Sequence, residues 1–88
     1  MTFPLPSTLD TAAAAPLAAS LGELITTGAP VRVNGSEVAR VGQACLQVLM
    51  SARLSAEKAG IGFTVEQPSD ELRASGELAG LDALFATA

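Results

Sequence analysis

Histidine, tryptophan and tyrosine are absent from this chain of 88 residues, and it holds a single cysteine, Cys45. Without histidine or tyrosine, general acid–base work falls to carboxylates and one lysine, and no His/Cys set has metal-ligand spacing. Neither a P-loop nor a GxGxxG run occurs. A lone cysteine cannot close an internal disulfide, which agrees with a reducing compartment. Basic side chains are few: Arg32, Arg40, Arg53, Lys58 and Arg73 are scattered against nine carboxylates, and the net charge is −4. With no basic patch and three phenylalanines as the whole aromatic content, phosphate neutralisation and base stacking have no source, so nucleic acid is not an expected partner. No apolar run approaches the roughly 20 residues of a membrane span, and the N-terminus lacks the basic-then-apolar order of a signal peptide. The expectation is a soluble, cytoplasmic protein that does not insert into a membrane, is not an enzyme, and carries no cofactor or metal.

What is present is aliphatic. Hydrophobic residues make up 49% of the chain, much of it alanine, so Leu, Val and Ile must build the core. At this length a single domain, residues 1–88, is expected to bury roughly 60–65% of its unfolded surface, which leaves a thin stability margin.

Along the chain, Phe3, Leu5 and Leu9 alternate around Pro4 and Pro6. Proline cannot donate to a ladder, so a strand here is expected at a sheet edge or broken into two short pieces. Asp10 or Thr11 is a fitting N-cap for an alanine-rich helix with Leu17, Leu21, Leu24 and Ile25 on one face. Pro16 suits a first turn, which predicts that the regular helix opens two or three residues before it. Gly28 and Pro30 end that helix. Val31 and Val33 mark a strand, followed by the turn Asn34-Gly35-Ser36. An Asn-Gly pair also reads as a hairpin, but Val38 and Val41 lie three apart rather than two, which favours a loop leading into a helix. After Gly60, Ile61, Phe63 and Val65 alternate as a strand that stops at Gln67-Pro68. Ser69 caps a last helix with Asp70 and Glu71 at its positive end, interrupted at Gly76 and Gly80. Strands alternating with helices predict parallel pairing and right-handed crossovers.

The helix opening near Gln43 is the richest segment. At about 100° per residue, Cys45, Val48, Leu49, Ala52, Ala56 and Ala59 fall in one arc suited to packing on a sheet. A second line, Leu46, Met50 and Leu54, has Gln43, Arg53 and Glu57 interleaved; it packs under a neighbouring element or is offered to another protein. Gln47, Ser51, Ser55 and Lys58 hold the polar side. Cys45 is near a helix N-terminus, where thiolates are stabilised, but no histidine is present as its base, and a packing role is expected.

The segment VRVNGSEVARVGQACLQVLMSAR, taken with LPSTLD before it and the Phe63 strand and Pro68-Ser69 helix entry after it, resembles STAS domains, the anti-sigma-factor antagonist fold. It is closest to the short stand-alone type similar to the lipid-asymmetry transporter subunit and to those beside chemotaxis genes. The resemblance implies a small α/β fold with a mixed, mostly parallel sheet of about three to four strands and helices mainly on one face. In that family an Asp-Ser-Ser-Gly-Leu run opens the central helix, and a kinase phosphorylates its second serine. Here the aspartate falls on Gly42, the serines on Gln43 and Ala44, the glycine on Cys45 and the leucine on Leu46. Ala44 has no hydroxyl, so that switch is lost. The implied function is a non-catalytic interaction module of bacterial signalling, such as chemotaxis, docking a protein through Ser36, Glu37, Arg40, Gly42, Gln43, Ala44, Leu46 and Met50. The expected partners are a signalling kinase, a response regulator or an ABC ATPase. Alternatives are a regulatory STAS subunit on an ABC transporter ATPase in lipid transport, a small-ligand-binding STAS domain, or an antagonist phosphorylated at Ser36 or Ser51. The shortened first strand leaves an edge that a homodimer or a partner strand could cover.

Overall fold

The computed structural model describes residues 2–85. Five short strands and three α-helices follow one another: β1 Phe3–Pro4, β2 Thr8–Leu9, α1 Thr11–Thr26, β3 Val31–Asn34, β4 Arg40–Val41, α2 Gln43–Lys58, β5 Phe63–Glu66 and α3 Asp70–Leu78, closed by a 3-10 turn at Asp82–Phe85. The main sheet has the order β1-β3-β5 and both of its pairings are parallel, with Phe3 opposite Val33 and Val31 opposite Phe63. The first strand is broken in two, as the prolines require: β1 lies at the sheet edge, and β2 pairs with β4 in a separate two-stranded parallel ladder.

Strand parity decides which side is the core. Val31, Val33, Phe63 and Val65 are buried on one face, and the helices supply Leu17, Leu21, Cys45, Leu49, Ala56 and Leu72 to the same cluster. The alternate residues Arg32, Asn34, Thr64 and Glu66 form the other face, where Arg32 and Glu66 make a 2.6 Å ion pair. Parallel sheets are usually covered on both sides; here one side is polar and open.

Helix ends follow local chemistry. Asp10 Oδ1 accepts from the Ala13 N–H at 3.1 Å, Gly28 and Gly60 stop α1 and α2 at positive φ, and Ser69 Oγ accepts from the Leu72 N–H at 3.1 Å. Two expectations are corrected. Helix α1 starts at Thr11, five residues before Pro16. The carbonyl that loses its partner is that of Ala12, and both residues are exposed, so water replaces the missing donor. Gly76 does not interrupt α3, which runs through it to Leu78. A Cβ there would stand 2.5 Å from Phe85 Cε2, so this glycine makes room for the closing turn, while Gly80, at φ +75, breaks the helix.

Burial on α2 is a function of angle. Taking Cys45 as zero and about 100° per residue, the buried residues Ala52, Cys45, Ala56, Leu49, Arg53 and Leu46 occupy one arc of about 120° in that order. Met50, beyond it, is half-buried, and Leu54 is 48% exposed. Ala59, expected in the core arc, is the exposed C-cap. Arg53 is buried because its Nη1 donates to the Phe63 carbonyl at 3.2 Å, on the edge strand, while Nε lies 3.3 Å from Glu57.

The Asn34-Gly35 turn joins a strand to the following loop and not to a hairpin. Asn34 Oδ1 accepts from the Ser36 N–H at 2.9 Å and the Ser36 hydroxyl at 2.6 Å. Gly35 is buried, and a Cβ there would meet Leu72 Cδ2 at 2.6 Å and Pro68 Cα at 3.3 Å. Leu72 is fully buried and has no room to swing away. Gly35→Ala is therefore expected to lower unfolding free energy by about 1–3 kcal/mol, the usual overpacking range, as measured by urea denaturation. Combined with Leu72→Ala, the same substitution should cost much less, which a double-mutant cycle would read as coupling.

Candidate functional site

In a parallel sheet the strands all point one way, so the loops that leave their C-terminal ends and enter the helices gather at one edge. That edge carries the starts of α1, α2 and α3 and the loop from Gly35 to Gly42. The loop is held by backbone bonds at both ends. Gly35 N–H donates to the Glu66 carbonyl at 2.9 Å, and Gly42 N–H donates to the Leu9 carbonyl at 2.8 Å. Between them the N–H groups of Ala39 and Arg40 both donate to the Ser7 carbonyl, at 2.8 and 3.0 Å. Val38 is buried beneath. Ser36, Glu37 and Arg40 are left exposed on a backbone that is not free to move away.

Helix α2 begins differently from its neighbours. Asp10 and Ser69 cap α1 and α3 with side-chain oxygens, whereas Gly42, the N-cap of α2, has no side-chain cap. From Val41 to Ala52 no side chain is charged. Gly42 and Gln43 are exposed and Ala44 is half-buried. The result is an uncharged helix start with first-turn N–H groups that no side chain of its own caps. Gly42 and Arg40 also line a shallow groove of about 300 Å³ with Thr8, Asp10 and Thr11.

Of the eight residues expected to dock a partner, seven reach the surface at least in part, and one does not. Leu46 is 2% exposed, so its expected role as a docking contact is corrected to core packing: it sits inside the buried arc of α2. The remaining residues divide around the helix, with Ala44 on the flank toward α1 and Gln43 and Met50 on the opposite flank. The angular reading adds to that second flank two residues outside the expected docking set: Gln47, assigned to the polar side, and Leu54, already placed on the second apolar line. Gln43, Gln47, Met50 and Leu54 follow one ridge at steps of four, three and four residues, and Leu54 is a large exposed hydrophobic side chain. The signal was present in the 100° projection, once Leu46 is assigned to the core.

A second concavity of about 560 Å³ runs between α1 and α2, lined by Ala18, Leu21, Gly22, Ile25, Val48 and Ala52 with a rim of Gln47, Ser51 and Ser55. No titratable group lines it. Among the described residues no group of three or more Cys, Asp or Glu side chains is placed to hold a metal ion, and no helix is long and apolar enough to cross a membrane.

The family described as Mlab, STAS domain, matches residues 3–86 of the chain. No curated protein is a significant match. The chain belongs to the STAS family, whose members are in general non-enzymatic regulatory modules that mediate protein–protein interactions. The small α/β architecture with its three-stranded parallel sheet and additional two-stranded ladder is consistent with that fold.

Cys45 occupies the place where the family run has glycine. Its side chain is fully buried, and Sγ–H donates to the Asp10 carbonyl at 3.2 Å. Burial raises the thiol pKa above its ordinary value, and the Asp10 carboxylate adds to the rise. The thiol is thus held protonated and away from solvent, the opposite of a poised nucleophile. Because the folded thiol keeps its proton to higher pH than the unfolded one, its contribution to stability is intact below the unfolded pKa of about 8.5 and is lost as pH rises above it. The urea midpoint is expected to fall between pH 7 and pH 10 by more in the wild type than in Cys45→Ala. Equal falls would mean that the thiol is not linked to folding.

Proposed function

We propose that this chain is a non-catalytic docking module that binds a protein partner through the exposed start of α2 and the loop before it. The observation that carries the reading is the uncharged, uncapped helix start at Gly42, Gln43 and Ala44, set on a loop pinned at both ends. Gly42 and Ala44 let a partner approach closely. Met50 supplies apolar area, joined by Leu54 in place of Leu46. Ser36, Glu37, Arg40 and Gln43 surround this centre as an orienting polar rim. The chain has no histidine and a buried thiol, and its groups at this edge do not assemble a nucleophile with a base, so chemistry is not part of the proposal.

In the phosphorylated members of the family, a doubly charged phosphate at the helix start is tolerated by the macrodipole yet opposes docking. Ala44 removes that control while leaving the platform. The site is therefore constitutively open, which suits a signalling accessory in a chemotaxis-type system, with a histidine kinase or response regulator as partner. A second reading is a regulatory subunit seated on an ABC transporter ATPase. The description of the matching family, Mlab, favours it, and it uses the same surface. The partner protein itself separates the two. We place the chain in the bacterial cytoplasm in both.

Ala44→Glu tests the site. A carboxylate in the first turn is compatible with the helix dipole, so the variant should keep the wild-type melting temperature within a few degrees. It should nevertheless lose partner binding by at least about tenfold, a desolvation and charge effect of ~1.4 kcal/mol or more. Binding is measured by quantitative capture against a candidate kinase and a candidate ATPase. Undiminished binding of a partner by the variant would put the interface elsewhere on the molecule.

A further inference from the structure

Ser69 is the N-cap of α3, and its hydroxyl does two things at once. It accepts from the Leu72 N–H at 3.1 Å and donates to the Val38 carbonyl at 2.6 Å. The Val38 carbonyl and the Ala39 N–H belong to one peptide group, and that N–H donates to the Ser7 carbonyl at 2.8 Å. A single peptide plane in the middle of the exposed loop is thus gripped from both sides, by a side chain of α3 on its oxygen and by the N-terminal segment on its nitrogen. The backbone adds to the grip: Ser69 N–H donates to the Gly35 carbonyl at 3.0 Å, the same oxygen that accepts from Val38 N–H at 3.3 Å.

From this geometry we infer that Ser69 is a positioning residue for the loop from Ser36 to Val41, fixing the Val38–Ala39 peptide so that Glu37 and Arg40 on either side hold one orientation. A hydroxyl is suited to this because it is donor and acceptor in one atom. Asp is as good an N-cap as Ser, but its carboxylate has no proton to give the Val38 carbonyl. Thr retains both functions. The chemistry of the position therefore separates capping from positioning, which Ser69→Ala alone would not do, since it removes both.

That the loop is used for docking rests on the function proposed above; that it is held by Ser69 does not. The experiment is residue-resolved amide hydrogen exchange on the full chain, comparing wild type with Ser69→Asp and Ser69→Thr, with the amides of Leu49 and Val33 as internal reporters of global opening. In Ser69→Asp exchange at Ala39 and Arg40 should accelerate by about fivefold, the worth of one net hydrogen bond, and by more than at Leu49 and Val33, while the melting temperature falls by no more than several degrees. Ser69→Thr should restore the slow exchange. Unchanged exchange at Ala39 in Ser69→Asp would overturn the inference. So would acceleration shared equally with Leu49 and Val33, because the serine would then act through global stability alone. Capture of the same kinase or ATPase that wild type binds, run in parallel, should weaken in Ser69→Asp and recover in Ser69→Thr. A loosened loop with undiminished capture would uphold the positioning role and count instead against the docking reading.

Discussion

The carbonyl of Gly35 accepts from two N–H groups, those of Val38 and Ser69, while the Gly35 N–H donates to Glu66. Around this one residue the end of β3, the end of β5, the exposed loop and the start of α3 are tied together, and the space its missing side chain would fill is occupied by Leu72 and Pro68. The constraint is steric before it is electrostatic. A backbone that comes this close to a buried leucine cannot carry a Cβ without displacing something, and the hydrogen bonds that hold the loop depend on that closeness. In a domain of this size, with few large side chains, a node of this kind does what a larger core would otherwise do.

The proposed docking platform follows from the node because the loop is the spacer between β3 and α2. Its buried anchor is Val38, its backbone is fixed at Gly35 and Gly42, and its polar side chains are the ones left facing water. A rigid loop loses less conformational entropy when a partner lands on it than a free one. That supports the proposed recognition by a preformed surface, in which a helix start with no charged side chain of its own lies at the centre and Glu37 and Arg40 stand at the margin. The one thiol nearby is turned inward against the Asp10 carbonyl and is not part of that surface.

Much of this was legible in the sequence where the signal is local. Ser69 and Asp10 announced caps, Gly28 and Gly60 announced helix ends, Phe63 and Val65 alternated as the strand they form, and the prolines at positions 4 and 6 broke the first strand as expected. The resemblance to STAS domains, confirmed by the family match, rested on such short ordered pieces. What the sequence hid was tertiary in origin. The pairing of Thr8–Leu9 with Arg40–Val41 involves strands too short to show a period. Pro16 sits in a helix interior because the carbonyl it orphans faces water. Gly76 and Gly80 look alike on paper, yet one is needed for Phe85 and the other for a positive φ.

Leu46 shows the same limit at the site itself. The line Leu46, Met50, Leu54 keeps constant chemistry, but each step of four residues turns about 40° beyond a full circle, so the line crosses from the edge of the buried arc to open surface within two steps. A pattern of equal hydrophobicity therefore conceals unequal burial. Arg53 lies within the same arc and is buried because a strand carbonyl is there to receive it, an acceptor that hydropathy does not register. For the proposed recognition this shifts the apolar contact along α2: with Leu46 spent on the core, the ridge from Gln43 to Leu54, on which Met50 is half-buried and Leu54 exposed, offers apolar area in its place. The proposed platform is thus longer and more polar at its start than a docking site built on Leu46 would be.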